Sequence, residues 1–167
     1  MQQLKNRSYK NDNSFGLTEE DKILPILEKY FGEKITKSLN KYEKWDGEGL
    51  TSLYEIKSRT NKHNAFNDTI IAMNKVVQTS KAQFFIFNFT DGIYYIKYNE
   101  TLFNSFTSSP FLCHKREDII DTIKQYYYIP IKHLSLIELK QPAMTTADFF
   151  RAKTDVLPLK GRCLIKL

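Results

Sequence analysis

Cysteine is nearly missing from this chain, with two residues, Cys113 and Cys163, in 167. A pair this far apart makes no disulfide framework and lacks the paired spacing of a structural zinc site, so a reducing compartment fits. Long apolar runs are missing as well, and nothing approaches the roughly 20 residues of a membrane-spanning helix. The amino end MQQLKNRSYKNDNS is polar and basic, without the apolar stretch or cleavage site of a secretory signal. The expectation is a soluble, cytoplasmic chain with no membrane partner. Arginine is scarce, 5 against 20 lysines, and no internal repeat, low-complexity tract or linker divides the chain. The formal net charge of +6 favours a polyanionic partner, because clustered basic groups release counterions from phosphates. Lysine and asparagine richness also follows from AT-rich coding sequence, so charge alone does not decide for nucleic acid.

What is present is a globular composition, 41% hydrophobic and 14% aromatic, enough for one domain with a core. Residues 1–13 have no periodicity and read as a flexible basic arm; residues 14–167 read as a single domain. In LTEEDKILPILEKYFG the apolar positions 23, 24, 27, 30 and 31 form a helical stripe, with Thr18 and Asp21 as a capping box and Gly32 as its stop. Pro25 either bends this helix or moves its start to about residue 23. Strands are expected over about 35–45 and 51–59, joined by a turn at Gly47 and Gly49. Phe66, Ile70, Met73 and Val77 predict a second amphipathic helix over 64–80. AQFFIFNF suits a buried strand, and Asp91-Gly92 marks a hairpin into IYYIKY. Further on, a helix over 116–127, a strand in IPIKHLSLIEL and a last strand near RCLIKL complete a mixed α/β sheet with helices on it.

One strand carries charge where packing alone would not ask for it. In KWDGEGLTSLYEIKSRT, alternation sends Glu55 and Lys57 to one face and Tyr54 and Ile56 to the other. Asp46, across the glycine turn, can bring its carboxylate beside that of Glu55. Two carboxylates about 4 Å apart repel by roughly 4 kcal/mol at an effective dielectric near 20, so the pair needs a cation. Magnesium, with manganese able to substitute, takes one or two carboxylates, waters and a backbone carbonyl such as that of Ile56. Lys57 can orient the attacking water or offset charge growing on a phosphate. Arg59, on the same face, suits a phosphate contact, and Lys75 is a further candidate for nucleic acid.

Glu-x-Lys alone is weak, since 10 Glu and 20 Lys in 167 residues predict about 1.2 chance copies, and three occur. Glu20-Asp21-Lys22 lies at a helix start, where i and i+2 diverge, and Glu138-Leu139-Lys140 has no helix and strand after it. An exposed cross-strand ion pair is the ordinary reading of such a strand. The order of helix, Asp46, YEIKSR, helix and apolar strand resembles the PD-(D/E)XK nuclease superfamily over about residues 15–98, leaving 99–167 as an extension of helix and strand. Trp45 stands where the eponymous proline would be.

The resemblance implies a restriction-endonuclease-like core of helix, three-stranded meander, second helix and fourth strand. It further implies a magnesium-dependent endonuclease on DNA, with Asp46 and Glu55 as metal ligands, Lys57 as catalytic lysine and Glu20, ahead of Glu19, as the acid from the first helix. A homodimer follows by analogy, because duplex cutting needs two sites. The alternative is a nucleic-acid-binding module on the same fold without turnover.

Overall fold

The protein is described by a computed structural model covering residues 9–40, 43–112 and 123–138. Helix α1 spans Tyr9–Phe31, followed by β1 (Thr36–Lys37), β2 (Gly47–Glu48) and β3 (Ser52–Ser58). Then come β4 (Asp68–Ala72), β5 (Ala82–Phe89), β6 (Gly92–Lys97), the short α2 (Glu100–Asn104), β7 (Ser108–Leu112), β8 (Ile123–Pro130) and β9 (Ser135–Leu136). Three 3-10 turns lie at His63–Ala65, Met73–Lys75 and Ile131–His133. Among the described residues no helix is long and apolar enough to cross a membrane.

The strands form two sheets. The larger runs β1-β2-β3-β5-β6-β9, with β3 and β5 parallel and the other neighbours antiparallel. The smaller is antiparallel, β4-β8-β7. One core joins α1 to the larger sheet through Ile23, Leu27, Ile35, Tyr54, Ile56 and Ile86. The other, built on Ile71, Phe85, Phe87, Phe103, Tyr127 and Ile129, fills the space between the sheets. The aromatic run of β5 serves both, its odd residues facing the second sheet and Phe84 and Ile86 facing the helix.

The first helix starts earlier than its apolar stripe suggests. Residues 9–13, expected in the arm, are helical, and residues 1–8 lie outside the described residues. Thr18 is therefore no N-cap; its hydroxyl donates to the Ser14 carbonyl at 3.0 Å, a bond made within a helix. The helix runs through Pro25, where only the bond to the Asp21 carbonyl is lost, because Ile23 and Leu27 on either side are buried. It ends at Gly32, whose φ of 71° closes the last turn with its N–H on the Glu28 carbonyl at 2.9 Å.

Four expectations are corrected. Among the described residues of 35–45 only Thr36–Lys37 are strand, since β2 offers just two partner residues and Leu39 stands in solvent. Residues 64–80 are not a helix. They form a 3-10 turn, β4 and a second 3-10 turn, with Phe66 exposed and Thr69 and Ile71 buried at the spacing of a strand. The apolar positions 66, 70, 73 and 77 fit a helical period, but pairing with β8, far along the chain, decides for the strand that β-branched Thr69, Ile70 and Ile71 favour. Likewise residues 123–127 of the expected helix over 116–127 belong to β8, where Tyr127 and Ile129 point inward, and 116–122 lie outside the described residues. The strand expected in IPIKHLSLIEL breaks at the 3-10 turn of Ile131–His133, and the strand near 162–167 lies outside the described residues.

Candidate functional site

Pairing along β3 changes halfway, and this change makes the site. Its first half is covered by β2, through Leu53 and Tyr54. Beyond Tyr54 the chain of Asp46 takes over: its N–H donates to the Tyr54 carbonyl at 2.8 Å, and its Oδ2 accepts the Ile56 N–H at 2.7 Å. A side chain thus occupies the place of a neighbouring strand. The Ile56 carbonyl points to this same edge, because the N–H and C=O of a strand residue share a direction.

Glu55 and Lys57 project toward the second sheet, in register with Phe85 and Phe87 of β5, while Tyr54 and Ile56 pack beneath α1. Glu55 is only 3% exposed. It forms ion pairs with Lys57 and, at 2.8 Å through Oε2, with Lys75. Burial pushes its carboxyl above the ordinary range, Lys57 pulls it back, and the charge of Asp46 pushes it up again. For Lys57 burial works downward, yet Glu55 and Asp46 outweigh it and hold the ammonium above its ordinary value. Glu20 is raised by burial and by Asp46, against an ion pair with Lys37 at 3.5 Å. The charge of Asp46 is therefore felt at Glu20, Glu55 and Lys57 alike.

Asp46 meets the strand at the Ile56 N–H, and Lys57 and Lys75 meet at the Glu55 carboxylate, whereas Glu20 pairs with Lys37. Glu19, the second choice in the helix, turns instead to Lys22 at 2.6 Å and to Asn88 at 3.2 Å. Arg59 lies on the Lys57 side of the strand, largely buried, with its Nη2 donating to the Ile70 carbonyl at 2.8 Å and its guanidinium over the Phe87 ring. Burial lowers its pKa. Lys75, expected on the surface of a helix, sits in a 3-10 turn and pairs with Glu55; the helical period of the surrounding residues concealed that role. In the competing copy of the motif, Glu138 is exposed and the next two residues lie outside the described residues.

Sequence reasoning missed the supporting carboxylate of Glu33, one residue past Gly32. Its Oε1 accepts from the Tyr54 hydroxyl at 2.7 Å, and its Oε2 accepts from the Thr51 N–H at 3.0 Å. This ties the end of α1 to the start of the strand that carries Glu55. A cleft of about 430 Å³ bordered by Asp68, Phe106, Tyr128 and His133 shares no residue with the cluster.

Among the described residues no group of three or more His, Cys, Asp or Glu side chains is arranged to hold a metal. Two carboxylates and a carbonyl nevertheless suit magnesium, which keeps several waters. The fit is supported by the setting of Glu55, whose two oxygens each face an ammonium, Oε1 that of Lys57 and Oε2 that of Lys75, so the carboxylate is held as an anion that a cation can share. No family model, curated protein or solved structure matches the chain.

Proposed function

We propose that the chain is a magnesium-dependent nuclease that hydrolyses DNA phosphodiester bonds at the open edge of β3. The observation that carries this reading is the meeting of Asp46 with the Glu55-Ile56-Lys57 strand, through the bond from the Ile56 N–H to the Asp46 carboxylate. A restriction-endonuclease-like core is supported by the order of α1, the antiparallel β1-β2-β3 and the parallel β5. The crossover from β3 to β5 departs from it by using a strand of the second sheet where a helix is expected.

Asp46, Glu55 and the Ile56 carbonyl would hold the ion. When bound, magnesium supplies Lewis-acid polarisation of a phosphoryl oxygen. Lys57, kept cationic by Glu55 and Asp46, offsets negative charge as it grows on the phosphorus oxygens. Glu20, whose affinity for protons is raised by burial and by the charge of Asp46, is the acid that the first helix would contribute. Arg59 adds a guanidinium on the Lys57 side for a flanking phosphate.

A plasmid-nicking assay with magnesium, manganese or EDTA tests the reading. Wild type is expected to cut with either metal and stop with EDTA, while Glu55→Ala and Lys57→Ala lose about 100-fold or more, as removal of one electrostatic stabiliser does. Cutting by both variants at the wild-type rate rejects the site. A second reading, a nucleic-acid-binding module without turnover, is favoured by one observation: two lysines already balance Glu55. DNA binding that survives both substitutions in a wild type that never cuts would select it.

A further inference from the structure

Glu55 is the ion-pair partner of two ammonium groups at once, Lys57 from its own strand and Lys75 from the turn before β5. With Asp46 alongside, two carboxylates and two ammoniums balance before a divalent ion arrives, and Glu20 and Arg59, whose charges also reach the cluster, add one of each sign. A site this buried tolerates little net charge, so two further positive charges cannot simply be added. One cation has to leave Glu55.

The two lysines differ in how they are held. Lys57 stands two residues from Glu55 on the same face of a strand paired with β5, and Asp46 also attracts it. Lys75 ends a 3-10 turn of three residues in the connection between sheets, 20 residues from Glu55 in sequence. It reaches the carboxylate with a flexible four-carbon stem and a point charge, the features of a replaceable partner. Among the described residues, Glu55 is its only ion-pair partner.

We propose that Lys75 is an exchangeable counter-ion: it occupies the Glu55 oxygen in the metal-free protein, and a divalent cation takes that place and releases it. The inference rests on the metal-dependent reading of the same site. It assigns Lys75 a positioning role, holding the buried carboxylate ionised and aligned until metal loads.

Manganese titration calorimetry on the full chain tests it. Because release and binding are reciprocally coupled, Lys75→Met is expected to bind manganese about tenfold more tightly than wild type, and Lys75→Arg within about threefold of it. Binding by wild type, with Lys75→Met equal or weaker, overturns the exchange and leaves the metal site standing. No manganese binding by wild type or by Lys75→Met at millimolar concentration overturns both. Reductive methylation of wild type, read by mass spectrometry, needs no variant. Lys75 is expected to react about threefold faster in manganese than in EDTA if metal frees it. An unchanged rate in a protein that binds manganese overturns the exchange.

Discussion

Glu33 shows how a single carboxylate can hold a site in place without belonging to it. Burial would raise its pKa, but the hydrogen bonds from the Tyr54 hydroxyl, the Thr51 N–H and the neighbouring hydroxyls prevail and hold it at about 2. A depressed carboxyl stabilises the fold fully above its unfolded value near 4.5, and that contribution disappears as pH falls from 4.5 toward 2. Glu33→Gln should therefore lower stability at pH 7 by about 1–2 kcal/mol, the range for a charged hydrogen bond reduced for partial contact with water. Urea unfolding at pH 7 and pH 3 checks this: the gap between wild type and variant should shrink at the lower pH. A gap equal at both values would show that the carboxylate charge contributes nothing. A Cβ at Gly49 would push this carboxylate aside, since it would lie 2.4 Å from the Glu33 carboxyl carbon.

Elements were legible wherever one local signal was enough. β3 and β5 follow from alternation and an aromatic run, the hairpin into β6 from Asp91-Gly92, and the end of α1 from Gly32. The candidate site was legible for the same reason, because Glu55 and Lys57 share a strand face whatever lies around them. The segment 64–80 was not, since Phe66, Ile70, Met73 and Val77 satisfy a helical period and the strand that claims Ile71 lies beyond a long stretch of chain. Two substitutions separate these readings. Ile71→Ala, at 1% exposure, should cost about 2–5 kcal/mol, whereas Phe66→Ala, at 66%, should stay within about 0.5 kcal/mol. A helix with Phe66 in its apolar stripe would make the Phe66 change costly too, and thermal unfolding of the two variants distinguishes the cases. The same misreading hid the place of Lys75, which follows β4 directly into the turn that meets Glu55.

Across the whole molecule, the larger sheet has α1 on one face and the smaller sheet on the other, and the proposed site opens where Asp46 replaces a strand at the edge of β3. Both faces are thus largely committed to packing, and Glu55 and Lys57 lie on the smaller-sheet face beside that edge. The net charge of +6 includes Lys57, Arg59 and Lys75 gathered on one side of β3, and α1 on the other side carries Lys29 exposed to solvent. If those three groups meet phosphates, binding to duplex DNA should weaken with salt with a log–log slope of about −2.7 or steeper, at roughly −0.9 per phosphate neutralised. Removing Lys29 should leave the slope unchanged, because its charge lies on the α1 face, whereas Lys75→Ala should reduce it by about one phosphate. Fluorescence anisotropy across a salt series, with manganese present and cutting blocked by Lys57→Ala, would then start from about −1.8, since that variant has already lost one of the three cations. A slope near zero would mean that the positive charge is dispersed over the surface and that the edge of β3 does not meet a polyanion.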